Sequence, residues 1–171
     1  MNIFYLDPDP AVAAQMMCDK HVVKMVLETA QILSAVCDRY NITEEDGYRV
    51  THKNHPCTRW AGDSVENFDW TVAHGRALAA EYTRRYGKTH KSLRVINLYA
   101  RYRGFVPFVP GTPPAQAMPE ECRVPGRPVE AYRRYYRDHK QRVMAVTYKQ
   151  PSVAPEWLTE PDPFDYMGET L

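Results

Sequence analysis

Asp19-Lys20-His21-Val22-Val23-Lys24-Met25-Val26-Leu27-Glu28-Thr29-Ala30-Gln31-Ile32-Leu33-Ser34-Ala35-Val36 is the stretch on which the fold turns. Val22, Met25, Val26, Thr29, Leu33 and Val36 recur at three- and four-residue steps, the spacing that lines up side chains along one face of an α-helix. Upstream, Asp7-Pro8-Asp9-Pro10 offers Asp9 as an N-cap with proline at the first helical position, so the pattern predicts one helix over residues 10–40. Ahead of it, Ile3-Phe4-Tyr5-Leu6 is a short apolar run that reads as a strand or a buried N-terminal arm.

Working outward, residues 41–57 read as a loop broken by Gly47, Asn54 and Pro56. A second helix is predicted over 63–86, with Asp63 and Glu66 at capping-box spacing and Gly87 as its stop. Its core face would be Ala61, Val65, Phe68, Val72, Gly75, Ala79 and Tyr82. A third helix over 89–102 would bury Leu93, Ile96 and Ala100. Residues 104–128 hold three glycines and seven prolines, which predicts a long irregular segment of the kind that is functional or mobile. Pro128 opens a fourth helix to about residue 148. The proline-rich tail over 150–171 reads as extended, with Trp157, Phe164 and Tyr166 docking part of it on the body. The expected class is therefore mainly α: one compact helical domain over 1–171, with a long Pro-rich loop and an extended C-terminal tail.

The chain has 171 residues, 44% of them hydrophobic and 25% charged, which excludes wholesale disorder. Its formal charge of +1 conceals a pattern. Residues 1–83 hold 7 basic and 12 acidic side chains, a net of −5; residues 84–149 hold 15 and 4, a net of +11. Residues 150–171 hold no basic and 5 acidic ones. A basic block of this size between acidic flanks points to a polyanion partner. Four scattered cysteines fit neither a disulfide framework nor a paired-cysteine zinc site. No leader and no apolar run of membrane-spanning length is visible, so a cytoplasmic protein without a membrane partner is expected. The oligomeric state is left open.

The first helix carries a second stripe. His21, Lys24, Glu28 and Gln31 fall at i, i+3, i+7 and i+10, and Cys18 extends the row by a turn. A base, a cation, a carboxylate and an amide in one line are the parts needed for proton transfer and anion stabilisation. The plain alternative is a solvated face on which Lys24 and Glu28 form a surface pair of little energetic weight. His52, Asn54 and His55 lie in a loop ending at Cys57. With Cys18 and His21 they could be imagined around zinc, but the spacing matches no closed zinc pattern, and substrate contact or helix capping is the better reading. No metal and no cofactor are expected.

Arg84, Arg85, Lys88, Lys91 and Arg94 cluster at a helix junction, and the fourth helix adds Arg133, Arg134, Arg137, Lys140 and Arg142 interleaved with Tyr132, Tyr135 and Tyr136. Arginine with tyrosine suits phosphate clamping plus base stacking, so double-stranded DNA is the expected partner. Alternatively the tyrosines are core and the arginines face water. No Gly-rich phosphate loop, dinucleotide fingerprint or serine elbow is present, which disfavours nucleotide hydrolysis and cofactor-driven redox.

The segment from His21 to Glu28, with Thr29-Ala30-Gln31-Ile32-Leu33-Ser34-Ala35 after it, resembles the first helix of phage pyrimidine-dimer DNA glycosylases, which carry a histidine seven residues before the catalytic glutamate. The likeness continues through Gly47-Tyr48, His55-Pro56, the helix end at 82–87 and Pro155-Glu156-Trp157. It implies a compact helical fold that extrudes a nucleotide into a basic cleft, with Glu28 as the catalytic carboxylate and His21 beside the nucleotide. Those glycosylases attack with the α-amine of a small residue freed by removal of Met1. Here residue 2 is Asn, whose bulk protects Met1, so that nucleophile is not expected.

Residues 1–7 and 18–24 also resemble small phage proteins, among whose pathways are amino acid:DNA transferases of thymidine hypermodification. This second resemblance implies transfer of a glycine-like amino acid onto a phosphorylated 5-hydroxymethyluracil in DNA. Glu28, with His21, would take the donor's proton, and Lys20 and Lys24 would hold the departing phosphate. Gln31, His52, Asn54, His55, Arg84, Arg85, Lys88, Lys91, Arg94, Arg133, Tyr136 and Arg137 would contact substrate or DNA. A pyrimidine-specific glycosylase/AP lyase and a non-enzymatic DNA-binding protein are the alternatives.

Overall fold

Asp9 starts the first helix as its composition suggests: the carboxylate accepts the Ala11 and Val12 amides, and α1 runs over Pro10–Met16. The expected single helix over 10–40 is interrupted there. Met17 and Cys18 adopt extended backbone, and α2 begins afresh over Asp19–Arg39. The reason lies far off in sequence. Asp19 accepts hydrogen bonds from the Thr147 hydroxyl, the Lys149 amide and the Arg85 guanidinium, and its own amide donates to Thr147 O. That network fixes a helix start where the local sequence carries no breaker.

The computed structural model describes residues 1–159. After α2 come α3 (Pro56–Asp63), α4 (Val65–Tyr86), α5 (Leu93–Ala100) and α6 (Pro128–Arg134). Of the described residues 57% are helical and none lies in a strand, so the fold is mainly α. The run Ile3-Phe4-Tyr5-Leu6 is a buried arm rather than a strand: Ile3, Phe4 and Leu6 are all buried. Ser64, not Asp63, caps α4, its hydroxyl accepting the Asn67 amide, while Asp63 closes α3. Gly87 ends α4 in the left-handed conformation at φ +66°, the geometry glycine adopts without strain. The third helix is shorter than the expected 89–102.

α2 packs against α4 and α5, and α1 lies on α4. Gly75 sits at the crossing, where a Cβ would meet Thr29 of α2 at 2.6 Å and Ile96 of α5 at 2.9 Å. Val26, Leu33, Phe68, Leu78 and Ile96 fill the space between. The expected core face of α4 is buried except for half-buried Tyr82. The Pro-rich segment is irregular yet pinned: Trp60 donates to Thr112 O, Thr112 and Asn67 exchange two hydrogen bonds, and Gln116 pairs twice with Val124.

α6 continues into wider π-type turns over Tyr135–Lys140 and a last turn over Gln141–Val143, stopping short of the expected 148. The wider turns, with the Gln141 amide reaching back five residues to Tyr136 O, let consecutive Tyr135 and Tyr136 both face inward. The start of the tail docks through Leu158, which is buried, and Trp157, 6.2 Å from the Tyr136 ring. Phe164 and Tyr166 lie outside the described residues.

Candidate functional site

Burial divides the polar stripe of α2. His21 and Glu28 are only 5% and 7% exposed, whereas the Lys24 side chain is 66% exposed. The N-terminal arm lies across this strip and converts it into a cavity of about 190 Å³. Three features hold the arm there. The Asn2 amide donates to Glu28 Oε2 at 3.0 Å, the Asn2 side chain accepts the Ile3 and Phe4 amides, and it donates to Ala117 O at 2.7 Å. Phe4, at φ +43°, stacks its ring on His21 with centroids 4.2 Å apart.

The cavity brings together His21, Lys24 and Glu28 with Met1, Asn2 and Phe4, which the sequence reading missed as site groups, and with Tyr135 and Lys140, which it placed only in a basic helix facing DNA. Lys24 Nζ lies 3.1 Å from Glu28 Oε1, and the Met1 amine lies 3.7 Å from Oε2. Lys140 Nζ sits 4.7 Å from the centre of the Tyr135 ring and 5.6 Å from that of Phe4, so it enters from the opposite wall over two aromatic faces. The Met1 side chain is packed inside, with the Thr58 hydroxyl 3.7 Å from its sulfur. The one advance signal for these groups was the apolar arm at 3–6, whose burial on α2 would carry Met1 and Asn2 to Glu28.

Electrostatics assign the imidazole a state. Burial, reinforced by the charges of Lys140 and Lys24, pushes His21 down to about 3, so the ring is neutral at physiological pH. The Tyr136 hydroxyl, held protonated by complete burial, accepts the Cys18 amide and lies within hydrogen-bond reach of both His21 Nδ1 and Cys18 Sγ. A neutral ring held this low is a weak base, so Glu28 is the stronger candidate of the two for proton abstraction. His55 is pushed down by burial, the Met1 amine and His52, with Glu28 opposing.

The remaining expected residues scatter. His55 caps α3, Nδ1 accepting the Cys57 amide at 3.2 Å. His52 and Asn54 are exposed beside it, and Gln31 is half-buried on α2. Lys20, Lys88, Lys91 and Arg94 are exposed, Arg94 donating to Asp46 O. Arg84 forks onto Glu81. Two residues expected at DNA are internal instead. Arg85 is buried against Glu81 and Asp19, and Tyr136 is buried beneath His21, so neither presents its polar group to a phosphate or a base. Arg133 turns inward to Leu6 O and Asp7, and Arg137 forks onto Asp138. The tyrosines of the fourth helix are core, as the alternative reading had it. Among the described residues no cluster of His, Cys, Asp or Glu is placed to hold a metal ion, and no helix is long and apolar enough to cross a membrane.

A carboxylate paired with the Met1 amine and Lys24, with Lys140 and a neutral imidazole lining the same cavity, is a set of groups able to exchange protons and to receive negative charge. The chain belongs to the pyrimidine dimer DNA glycosylase family, whose model matches residues 1–95. Membership points to DNA as the partner and to a DNA-acting, glycosylase-like enzyme. The matched region contains the arm, the α2 stripe and the His52/His55 loop, while Tyr135, Tyr136 and Lys140 lie beyond it. Comparison with curated proteins and with solved structures gave no match.

Proposed function

We propose that the chain is a DNA-modifying enzyme that receives an everted pyrimidine at the Glu28 cavity and transfers a glycine-like amino acid onto a phosphorylated 5-hydroxymethyluracil in DNA. One observation carries this reading: the Met1 amine, Lys24 and Lys140 line one cavity with the single carboxylate of Glu28. A cavity positive by two suits a pyrimidine that brings its own anion, as a phosphomethyl substituent does. The volume agrees. About 190 Å³ is below the roughly 300 Å³ at which ligand pockets begin, so the cavity takes the reacting substituent rather than the whole nucleotide.

In the reaction the donor arrives as an ammonium and gives one proton to Glu28. Its freed lone pair attacks the C5 methylene carbon. The C–N bond forms as the C–O bond breaks, and the bonding pair leaves on the phosphate oxygen. Lys24 and Lys140 hold the charge developing there, beside the neutral His21 ring. The proton on Glu28 passes to the phosphate, which departs as hydrogen phosphate, and the product nitrogen remains a secondary ammonium. Glu28 ends as it began.

A pyrimidine-specific glycosylase with lyase chemistry is the second reading, favoured by the 3.7 Å between the Met1 amine and Glu28. Against it stands the packing of the Met1 side chain against Thr58, which would be lost if Met1 were removed. The test is to incubate the protein with duplex DNA carrying 5-phosphomethyluracil plus glycine, digest to nucleosides and weigh the products. A glycinylated nucleoside is expected. Abasic sites or strand breaks in irradiated DNA, without that nucleoside, would replace transfer by the glycosylase reading.

A further inference from the structure

α2 shows solvent a strip of mixed character. Lys20, Val23, Lys24 and Leu27 are exposed on it, next to the inward strip of His21 and Glu28. Val23 and Leu27, one helical turn apart, are 41% and 38% exposed. A solvated helix face ordinarily mixes charges of both signs. Here two aliphatic side chains lie beside two lysines, and the neighbouring carboxylate, Glu28, is the buried one that Lys24 reaches, in the half of the sequence whose net charge is −5. The edge of the strip is fixed by His90, whose Nε2–H donates to Val23 O at 3.1 Å while its Nδ1 accepts the Ser92 amide. That bond brings the loop bearing exposed Lys88 and Lys91 up to Val23.

We infer that Val23 and Leu27 form a wedge that enters the base stack of duplex DNA and fills the gap left when a pyrimidine turns out towards Glu28. The inference rests on the DNA-modifying reading above and adds how the substrate is opened. Eversion costs the stacking and pairing of one base, and aliphatic side chains inserted at a base step offset that cost. The register suits the task. Leu27 and Glu28 are consecutive, about 100° apart around the helix axis, so a gap filled by Leu27 lies beside the carboxylate that receives the displaced base. Lys20, Lys24, Lys88 and Lys91 surround the aliphatic pair with positive charge, as the phosphates flanking such a gap require.

The test compares the wild type with the Val23→Ala/Leu27→Ala double variant and with Leu27→Met on one oligonucleotide, used as a duplex and as a single strand. It carries 5-phosphomethyluracil next to 2-aminopurine, whose fluorescence rises when its neighbour leaves the stack. The wild type is expected to raise the duplex signal, and the double variant to lose most of it. Turnover by the double variant should fall about tenfold on duplex and stay within about twofold on single strand, since only the duplex must be opened. Leu27→Met, which keeps an apolar side chain of similar reach, should restore the signal. Equal losses on both substrates, or no loss on either, would overturn the wedge. A wild type that turns over single strand but gives no duplex signal would also overturn it, while leaving transfer standing. A wild type inactive on both substrates would instead overturn the DNA-modifying reading itself.

Discussion

Glu28 and Glu81 are both buried glutamates on long helices with a basic residue one turn away, yet they do opposite work. Glu81 is closed. Arg84 grips it with two hydrogen bonds, Arg85 and the Ser152 hydroxyl share Oε1 at 2.6 Å each, and Arg85 continues to Asp19. Burial raises the Glu81 pKa, but hydrogen bonds from Arg84, Ser152 and Arg85 outweigh it and hold the group below its usual value. Glu28 is open. Its partners are a largely exposed lysine, a backbone amide and an amine, and it faces a cavity. The same sequence spacing gives a structural clamp when arginine forks close over the carboxylate and leaves an open, accessible carboxylate when they do not.

Breaking the closed site should cost the most. Glu81→Ala leaves the buried Arg85 without its nearest counter-charge, and a loss of roughly 3–5 kcal/mol in denaturant unfolding is expected. A loss below about 1 kcal/mol would mean that Asp19 alone satisfies the guanidinium.

Acid should separate the two sites next. His21 and the fully buried His74 are pushed down to about 3 by burial, helped at His21 by Lys140 and Lys24. The unfolded chain binds these protons from about pH 6.5 downward and the folded chain only near 3, so stability falls as pH drops through that window. At pH 5 each histidine should cost about 2 kcal/mol. The clamp behaves differently: with a lowered folded pKa, Glu81 loses its contribution only as pH falls through that value. Melting temperatures from pH 8 to 4 should therefore begin to decline near 6.5; a flat profile down to 4.5 would contradict the neutral imidazoles.

Tyr136→Phe removes the hydroxyl that fixes His21, at an expected cost of roughly 1–3 kcal/mol because buried polar partners are left unpaired. Imidazole ¹⁵N shifts should show the His21 tautomer balance changing, while the Glu81 clamp is untouched. Lys24→Ala should be smallest in stability, within about 0.5 kcal/mol for so exposed a partner, yet slow transfer on the order of a hundredfold.

The stripe at His21, Lys24 and Glu28 was legible because helical spacing alone puts those residues in line. The Asp9 cap, the Gly87 stop and most of the α4 face followed from local chemistry too. Other features depend on distant partners. The break before Asp19 is imposed by Thr147, Lys149 and Arg85, over 60 residues away in sequence. Ser64 and Asp63 are both competent caps, and only packing selects between them. Arg85 and Tyr136 read as DNA contacts because charge and aromaticity do not say which way a helix faces, and the wider turns at Tyr135–Lys140 erase the periodicity that would have told. Lys140 reaches Glu28's cavity through that same irregularity.

The central claim is that Glu28 performs the chemistry on DNA rather than holding the fold. The most direct measurement is single-turnover product formation by wild type and Glu28→Gln on duplex carrying 5-phosphomethyluracil with glycine, alongside duplex affinity and melting temperature. Glu28→Gln should lose on the order of 10²–10⁴-fold in rate, with affinity and melting temperature nearly unchanged. A glycinylated nucleoside formed by Glu28→Gln at the wild-type rate would contradict the account.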